Sequence, residues 1–253
     1  MLTIRLLDSV QILSERGPLD AGPPRQRCVL AALAVEMGRP VSIPALIDRV
    51  WDERPPQRAT HTLHVYLSRI RRTLGDADPH ARISRYCGGY ALDLGEGSID
   101  MADFEAELER LRHGGVSSAE QADTLESALR LWHGPPLADL EGRWVEEVRQ
   151  HWRQRLLEVL IRWSRVQLAT GRFDAVLGRL PRAIIDFPLA EPLRAAQMRA
   201  LIAADRRAEA LAAYQAARCQ LASELGVEPG PELASLHLSI LRGQTLAAAG
   251  REF

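Results

Sequence analysis

Between Thr62 and Gly75 the chain reads TLHVYLSRIRRTLG, with Arg69, Arg71 and Arg72 close together in a protein whose net charge is only −1. A guanidinium donates several hydrogen bonds in one plane and stays charged at any physiological pH. Such a cluster can therefore hold phosphates, carboxylates or the edge of guanine. Projected as a helix, Leu63, Leu67, Ile70 and Leu74 form one narrow apolar face, the spacing of a helix buried against a core. Extended back to Arg58, the opposite face carries Arg58, His61, Val65, Ser68, Arg69 and Arg72. A solvated surface is the ordinary meaning of a charged face, but two details point elsewhere. No carboxylate stands on that face to make i,i+4 pairs with the arginines. Val65 sits at its centre, where a helix needing only solubility would carry Glu or Gln. Arginine with small polar and apolar groups suits a major groove, guanidinium on phosphate or guanine and valine on a thymine methyl. His61 and His64 could read bases, meet phosphate or simply be exposed. Arg71, nearer the flank, could contact phosphate or pack.

Other chemistries lack their residues. All 32 basic residues are arginine, which removes phosphate loops ending in Gly-Lys-Ser/Thr and every lysine nucleophile. Cys28, Cys87 and Cys219 are scattered and make neither a disulfide framework nor a metal set. His133, His151 and Cys219 stand in no Ser/His/Asp or Cys/His arrangement, and no paired-carboxylate, HExxH or glycine-rich nucleotide motif occurs. No enzymatic activity, metal or cofactor is expected. Trp132, Trp144, Trp152 and Trp163 could form an aromatic box, but their helical context favours packing.

The elements that must position the arginines follow from pattern. Leu2 to about Leu19 alternates as short strands, with turns expected at Asp8-Ser9 and Gly17-Pro18. PRQRCVLAALAVEMG reads as a helix from Pro24 to Gly38, with Val29, Leu30, Leu33 and Met37 inward and Gly38 as its cap. SIPALIDRVW is a second helix capped by Ser42. The arginine helix comes third, and RISRYCGGYALDL supplies two strands around Gly88-Gly89. A β-start, three helices and a hairpin describe a winged helix-turn-helix, in which Arg82, Arg85 and Tyr86 of the wing could reach the minor groove.

Residues 1–95 carry 13 Arg against 10 Asp/Glu, whereas residues 96–253 carry 19 against 23. A mildly basic front and acidic back permit a nucleic-acid partner. No 18-residue apolar run and no signal-peptide pattern is present, so a cytoplasmic, nucleoid-associated protein with no membrane partner is expected.

Beyond residue 96 the pattern is helical. DMADFEAELERLRHG and SAEQADTLESALRLWHG read as helices closed by glycine, and a long helix spans Arg143 to Thr170. HGPPLADL reads as a corner. Leu168, Ala169, Arg172, Leu177, Leu180 and Ala183 match Ile202, Ala203, Arg206, Leu211, Tyr214 and Ala217 at an offset of 34, the tetratricopeptide period.

ATHTLHVYLSRIRRTLG followed by RYCGGYALDL resembles the OmpR-type winged-helix DNA-binding domain, on Leu63, Val65, Leu67, Ser68, Arg69, Ile70, Arg71, Arg72, Gly89 and Tyr90. ALRLWHGPPLADL and AYQAARCQLASELGVEPGPELASLHLSIL are similar to the bacterial transcriptional activation domain. Together they resemble the small-form Streptomyces antibiotic regulatory protein (SARP) family over Leu2 to about Arg242. The resemblance implies a mainly α fold: residues 1–95 a winged helix with short strands and a hairpin wing, residues 98–245 an all-α tetratricopeptide-like activation domain, and 246–253 a tail. It implies DNA contacts from Arg58, His61, Thr62, Val65, Ser68, Arg69, Arg72, Arg85 and Tyr86, with Val65 and Arg69 on bases. It also implies a polymerase-contacting loop at Trp51, Asp52, Glu53 and Arg54. Partners would be double-stranded DNA with direct repeats, bound by a homodimer, and RNA polymerase holoenzyme. A receiver domain often precedes this winged helix in relatives. None is expected here, leaving no place for aspartyl phosphorylation. The implied function is activation of a secondary-metabolite gene cluster. Two alternatives stay open: a ligand-gated regulator, favoured by a groove of polar residues with tryptophan, and a scaffold binding partner peptides.

Overall fold

The computed structural model describes residues 1–36, 38–112 and 117–243. The first strands, β1 (Thr3–Arg5), β2 (Gln11–Ser14) and β3 (Gly17–Leu19), form an antiparallel meander with Ile4 opposite Ile12 and Leu13 opposite Pro18. Gly17-Pro18, expected as a turn, opens β3 instead, and the reversal falls at Glu15-Arg16. Pro18 is tolerated because β3 is the sheet's edge strand, where a missing N–H leaves no ladder bond unmade.

Helix α1 (Pro24–Ala34) buries the whole run Val29–Ala34. It stops short of the expected Gly38. Its last bond runs from Val35 N to Ala31 O, and Gly38, at φ +83°, turns the chain towards β4 (Val41–Ser42). Met37 lies outside the described residues. Helix α2 (Ile43–Trp51) starts as expected, the Ser42 hydroxyl accepting from Ala45 N at 3.3 Å. Helix α3 (Ala59–Ala77) drives Leu63, Leu67, Ile70 and Leu74 into the core, each at most 1% exposed. Next, β5 (Arg82–Tyr86) and β6 (Gly89–Asp93) form the hairpin, and β4 pairs with β6 to give the order β4-β6-β5. Tyr86 pairs with Gly89, so the tip is Cys87-Gly88 and Gly89 already belongs to the strand. This is a winged helix-turn-helix.

After the wing, β7 (Ser98–Ile99) joins parallel to β1, a pairing that the alternation of Leu2–Leu19 did not foreshadow. Helices α4 (Asp100–Arg110), α5 (Ser118–Arg130) and α6 (Arg143–Ala169) follow. The glycine expected to close α4 lies outside the described residues, and α5 ends four residues before Gly134. The segment between α5 and α6, which contains HGPPLADL, crosses the end of β1. His133 N and Gly134 N donate to Leu7 O, Leu137 N to Leu6 O and Ala138 N to Asp8 O. Leu137 adopts φ +54°, a conformation that costs a non-glycine residue on the order of 1 kcal/mol or more. The Arg149 guanidinium offsets that cost by bridging the carbonyls of Pro136, Leu137 and Leu140. Asp139 accepts from Val10 N at 2.7 Å and pairs with Arg27 at 2.5 Å. Asp100 accepts from Leu6 N and Leu7 N, both at 2.9 Å.

The chain divides into two compact units. One comprises β1 through α4 together with Ser127–Arg155; the other comprises the front of α5, to Glu126, and everything described from Leu156 onward. In the first, Trp152 is 4% exposed and meets Phe104 edge-on, and Trp132 lies against the same ring. Trp144 lies beneath the Arg49 guanidinium.

The second unit stacks α7 (Phe173–Asp186), α8 (Glu191–Ala203), α9 (Arg207–Leu225) and α10 (Pro231–Leu241) around Met198, Leu201, Tyr214, Leu233 and Ile240. The 34-residue repeat is visible in the backbone. Gly171 and Asp205 both take positive φ (+73° and +58°), and Arg172 N and Arg206 N donate to Gln167 O and Leu201 O. These are equivalent helix ends, closed by left-handed caps. Leu180 and Ala183 are buried, as are Tyr214 and Ala217, while Arg172 and Arg206 are both exposed.

Candidate nucleic-acid interface

The α3 outer face runs from its N-cap residue Arg58 to Arg72, about 21 Å at 1.5 Å per residue. That is enough to lie along a major groove roughly 12 Å wide. Arg58, His61, Ser68, Arg69 and Arg72 are exposed; Thr62 and Val65 are half-buried. Among the described residues Arg58, Arg69 and Arg72 make no ion pair, so their guanidiniums are uncommitted. The Thr62 hydroxyl donates to Arg58 O at 3.2 Å, which leaves only its acceptor lone pairs for another partner.

The wing is tied to this helix by Arg71. Its Nε donates to Ile83 O at 3.0 Å and its guanidinium lies 5.4 Å from the Tyr90 ring centre, while His64 meets the same ring edge-on at 6.2 Å. Arg71 is thus a packing partner that fixes the hairpin against α3. Arg85 and Tyr86 project at the wing tip, Tyr86 52% exposed. Arg82 does not join them. It stands at the opposite end of β5 and pairs with Asp93 at 2.9 Å. The Gly95 N–H and that arginine hold the Asp93 carboxyl below its ordinary range. The pattern reads Gly89 with Gly88 as the turn of the hairpin, and the structure gives Gly89 a further physical reason. A Cβ there would lie 2.4 Å from Val41 O, so only glycine lets β4 and β6 approach.

The loop between α2 and α3 departs in one respect from expectation. Trp51 is 5% exposed and stacks on Tyr66, because it closes α2 and belongs to the core; it offers no surface to a partner. Asp52, at φ 50°, turns its carboxylate onto Arg143 N at 3.2 Å, the first residue of α6, and Asp48 pairs with the Arg143 side chain at 3.1 Å. Glu53 and Arg54 remain exposed. No helix among the described residues is long and apolar enough to cross a membrane.

A winged helix with an unpaired arginine face, followed by helical repeats, defines a transcriptional regulator. Residues 21–92 match the C-terminal domain of transcriptional regulatory proteins, and residues 99–241 match the bacterial transcriptional activator domain. The chain belongs to the SARP family of transcriptional regulators. It is 35% identical over 252 residues to the transcriptional regulatory protein EmbR of Mycobacterium tuberculosis, covering 98% of this chain and 65% of that one. It is 36% identical over 254 residues to the regulatory protein AfsR of Streptomyces coelicolor, covering 98% of this chain and 25% of AfsR. The structure of Mycobacterium tuberculosis EmbR in complex with a low-affinity phosphopeptide superposes with a TM-score of 0.86 at 34% identity, over 98% of this chain and 66% of that one. The chain thus spans about two thirds of EmbR and a quarter of AfsR.

Proposed function

We propose that this protein is a sequence-specific DNA-binding transcriptional activator acting in the cytoplasm at the nucleoid, with residues 1–95 binding DNA and residues 98–245 forming the activation domain. Helix α3 enters the major groove. Val65 and Arg69 meet base edges, His61, Thr62 and Ser68 line the same face, and Arg58 and Arg72 hold phosphates, while Arg85 and Tyr86 of the wing reach the flanking groove. The observation that carries this reading is the α3 face itself: exposed arginines without ion pairs among the described residues, on a helix whose other side is fully buried.

One winged helix covers few base pairs. Two protomers head to tail on direct repeats spaced about 10.5 bp, one helical turn, would supply the missing affinity. Glu53 and Arg54 then offer the exposed part of the α2–α3 loop to RNA polymerase, held in place by the Asp52–Arg143 contact. The regulated genes would be a secondary-metabolite cluster.

The test is fluorescence anisotropy of the purified protein on DNA from the promoters flanking its own gene, against a scrambled duplex, beside Arg69→Ala. Selective binding that disappears in the variant is the expected result. Equal binding of both duplexes by both proteins would refute groove reading.

A further inference from the structure

The second unit contains a groove with a cavity volume of about 580 Å³ between α5, α6 and α7, within the range of small-molecule sites. Asp123, Glu126, Trp163, Gln167, Arg172 and Arg179 line it. Three of these have unmet chemistry. Gln167 is 3% exposed, and its Oε1 has no hydrogen-bond partner, the kind of buried acceptor that natively folded proteins rarely leave empty. Arg172 and Asp123 are exposed and make no ion pair among the described residues.

The internal repeat shows that these features are departures from the fold's own pattern. The residue 34 positions after Gln167 is Leu201, an apolar member of the core. The counterpart of Arg172 is Arg206, which is bound at both ends by Glu209, 2.7 Å for each bond. The first repeat has Ala175 where Glu209 stands, so the carboxylate that pairs with Arg206 has no counterpart for Arg172. Ala212 is likewise replaced by Gly178, and a Cβ at Gly178 would meet nothing within 4 Å. Gln167, the Arg172 guanidinium and the space at Gly178 all line one groove, whereas the second repeat has a leucine, a paired arginine and an alanine in their places.

The chemistry selects the ligand. A glutamine carbonyl accepts only from N–H or O–H donors, a free guanidinium favours carboxylate, and a free aspartate favours ammonium. Trp163 does not provide a stacking face. Its indole N–H is committed to Glu126 at 2.9 Å, and the Arg179 guanidinium lies 5.1 Å from its ring centre while also pairing with Glu126. We propose that the groove binds a small zwitterion of the amino-acid or dipeptide type, its carboxylate on Arg172 and its amine or amide N–H groups on Gln167 and Asp123.

The experiment is calorimetry on the full chain without DNA, so that its outcome is separate from that of DNA reading. The probes are the standard L-amino acids, L-alanyl-L-alanine and, as a bare anion, acetate, each at millimolar concentration. The expected result is saturable binding of a zwitterion and not of acetate, weakened roughly tenfold or more by Arg172→Gln and abolished by Gly178→Leu. Gly178→Leu fills open space on a helix surface and leaves the fold intact, and Arg206→Gln in the second repeat serves as the unaffected control. No binding of any zwitterion, equal binding of acetate, or binding that survives both groove variants would overturn the proposal.

Discussion

If Arg72 holds a phosphate while Arg69 reads a base, the two should respond differently to salt. Arg58, Arg72 and Arg85 are the exposed arginines of α3 and the wing, Arg69 apart, that make no ion pair among the described residues. Counting one phosphate for each gives Z of about 3 per protomer and a slope of log K against log salt near −2.7, or roughly −5 for two protomers. Between about 50 and 200 mM salt, one protomer should then lose roughly 40-fold in affinity. Arg72→Gln should lower the slope by about 0.9 per protomer and weaken operator and scrambled DNA alike. Arg69→Ala should instead cost about 1–3 kcal/mol on the operator, roughly 5- to 150-fold, and bring it towards scrambled DNA. Anisotropy titrations at four salt concentrations on both duplexes read slope and selectivity together. A flat salt response in the parent, or an Arg69→Ala variant that loses slope and keeps its selectivity, would refute the assignment of roles.

Four further outcomes follow from the geometry. Burial pushes the Asp100 carboxyl up to about 6 against its three backbone N–H partners. Because that lies above the ordinary 3.8, protonation favours the fold, a contribution complete below about pH 4 and lost as pH rises through 6. Chemical denaturation should show the parent gaining about 2 kcal/mol relative to Asp100→Asn between pH 7 and 4. Gly89→Ala forces a Cβ against Val41 O and should cost about 1–3 kcal/mol, with DNA affinity falling as the wing is displaced, both seen in melting and anisotropy. Arg71→Met removes the bond to Ile83 O, so it should cost only about 1 kcal/mol in melting yet weaken DNA binding through a loosened wing. A fragment ending at residue 95 loses Asp100 and Asp139, which accept from Leu6, Leu7 and Val10 N–H. At about 1–3 kcal/mol for each unpaired donor it should melt well below the full chain in calorimetry.

The winged helix was largely legible because its signals are local. The apolar spacing of Leu63 to Leu74 fixes which side of α3 is buried, and the side left over is the candidate site. Ser42 announced α2 through the chemistry of a helix cap. Trp51 was misplaced because a tryptophan beside a Pro-rich loop carries no mark of its burial; only Tyr66, folded back from α3, supplies the stack. Arg71 was undecidable for the same reason, its partner carbonyl lying 12 residues away on β5. The repeat could be found by counting, but its most informative positions are those where it fails, Gln167 and Ala175. Those gain meaning only once Leu201 and Glu209 are seen at the equivalent places.

What no local signal could disclose is the way later segments complete the first sheet. Strand β1 has three residues, so most of the backbone that follows it, from Leu6 to Val10, must find its partners outside the meander. The N–H groups of Leu6 and Leu7 end on Asp100 and that of Val10 on Asp139. The carbonyls of Leu6, Leu7 and Asp8 are taken up by the segment leading to α6. In sequence, Leu-Trp-x-Gly-x-Pro-Leu-x-Asp-Leu reads as a signature of the activation domain. In three dimensions its Leu137 and Asp139 satisfy the backbone of the N-terminal sheet, and Arg149 holds Leu137 in a conformation leucine rarely adopts. The same region, through Arg143, fixes Asp52 at the start of the loop that precedes α3. The element that carries the candidate arginines is therefore positioned from both sides: by its own buried leucines, and by a helix start encoded 91 residues downstream of the Asp52 it restrains.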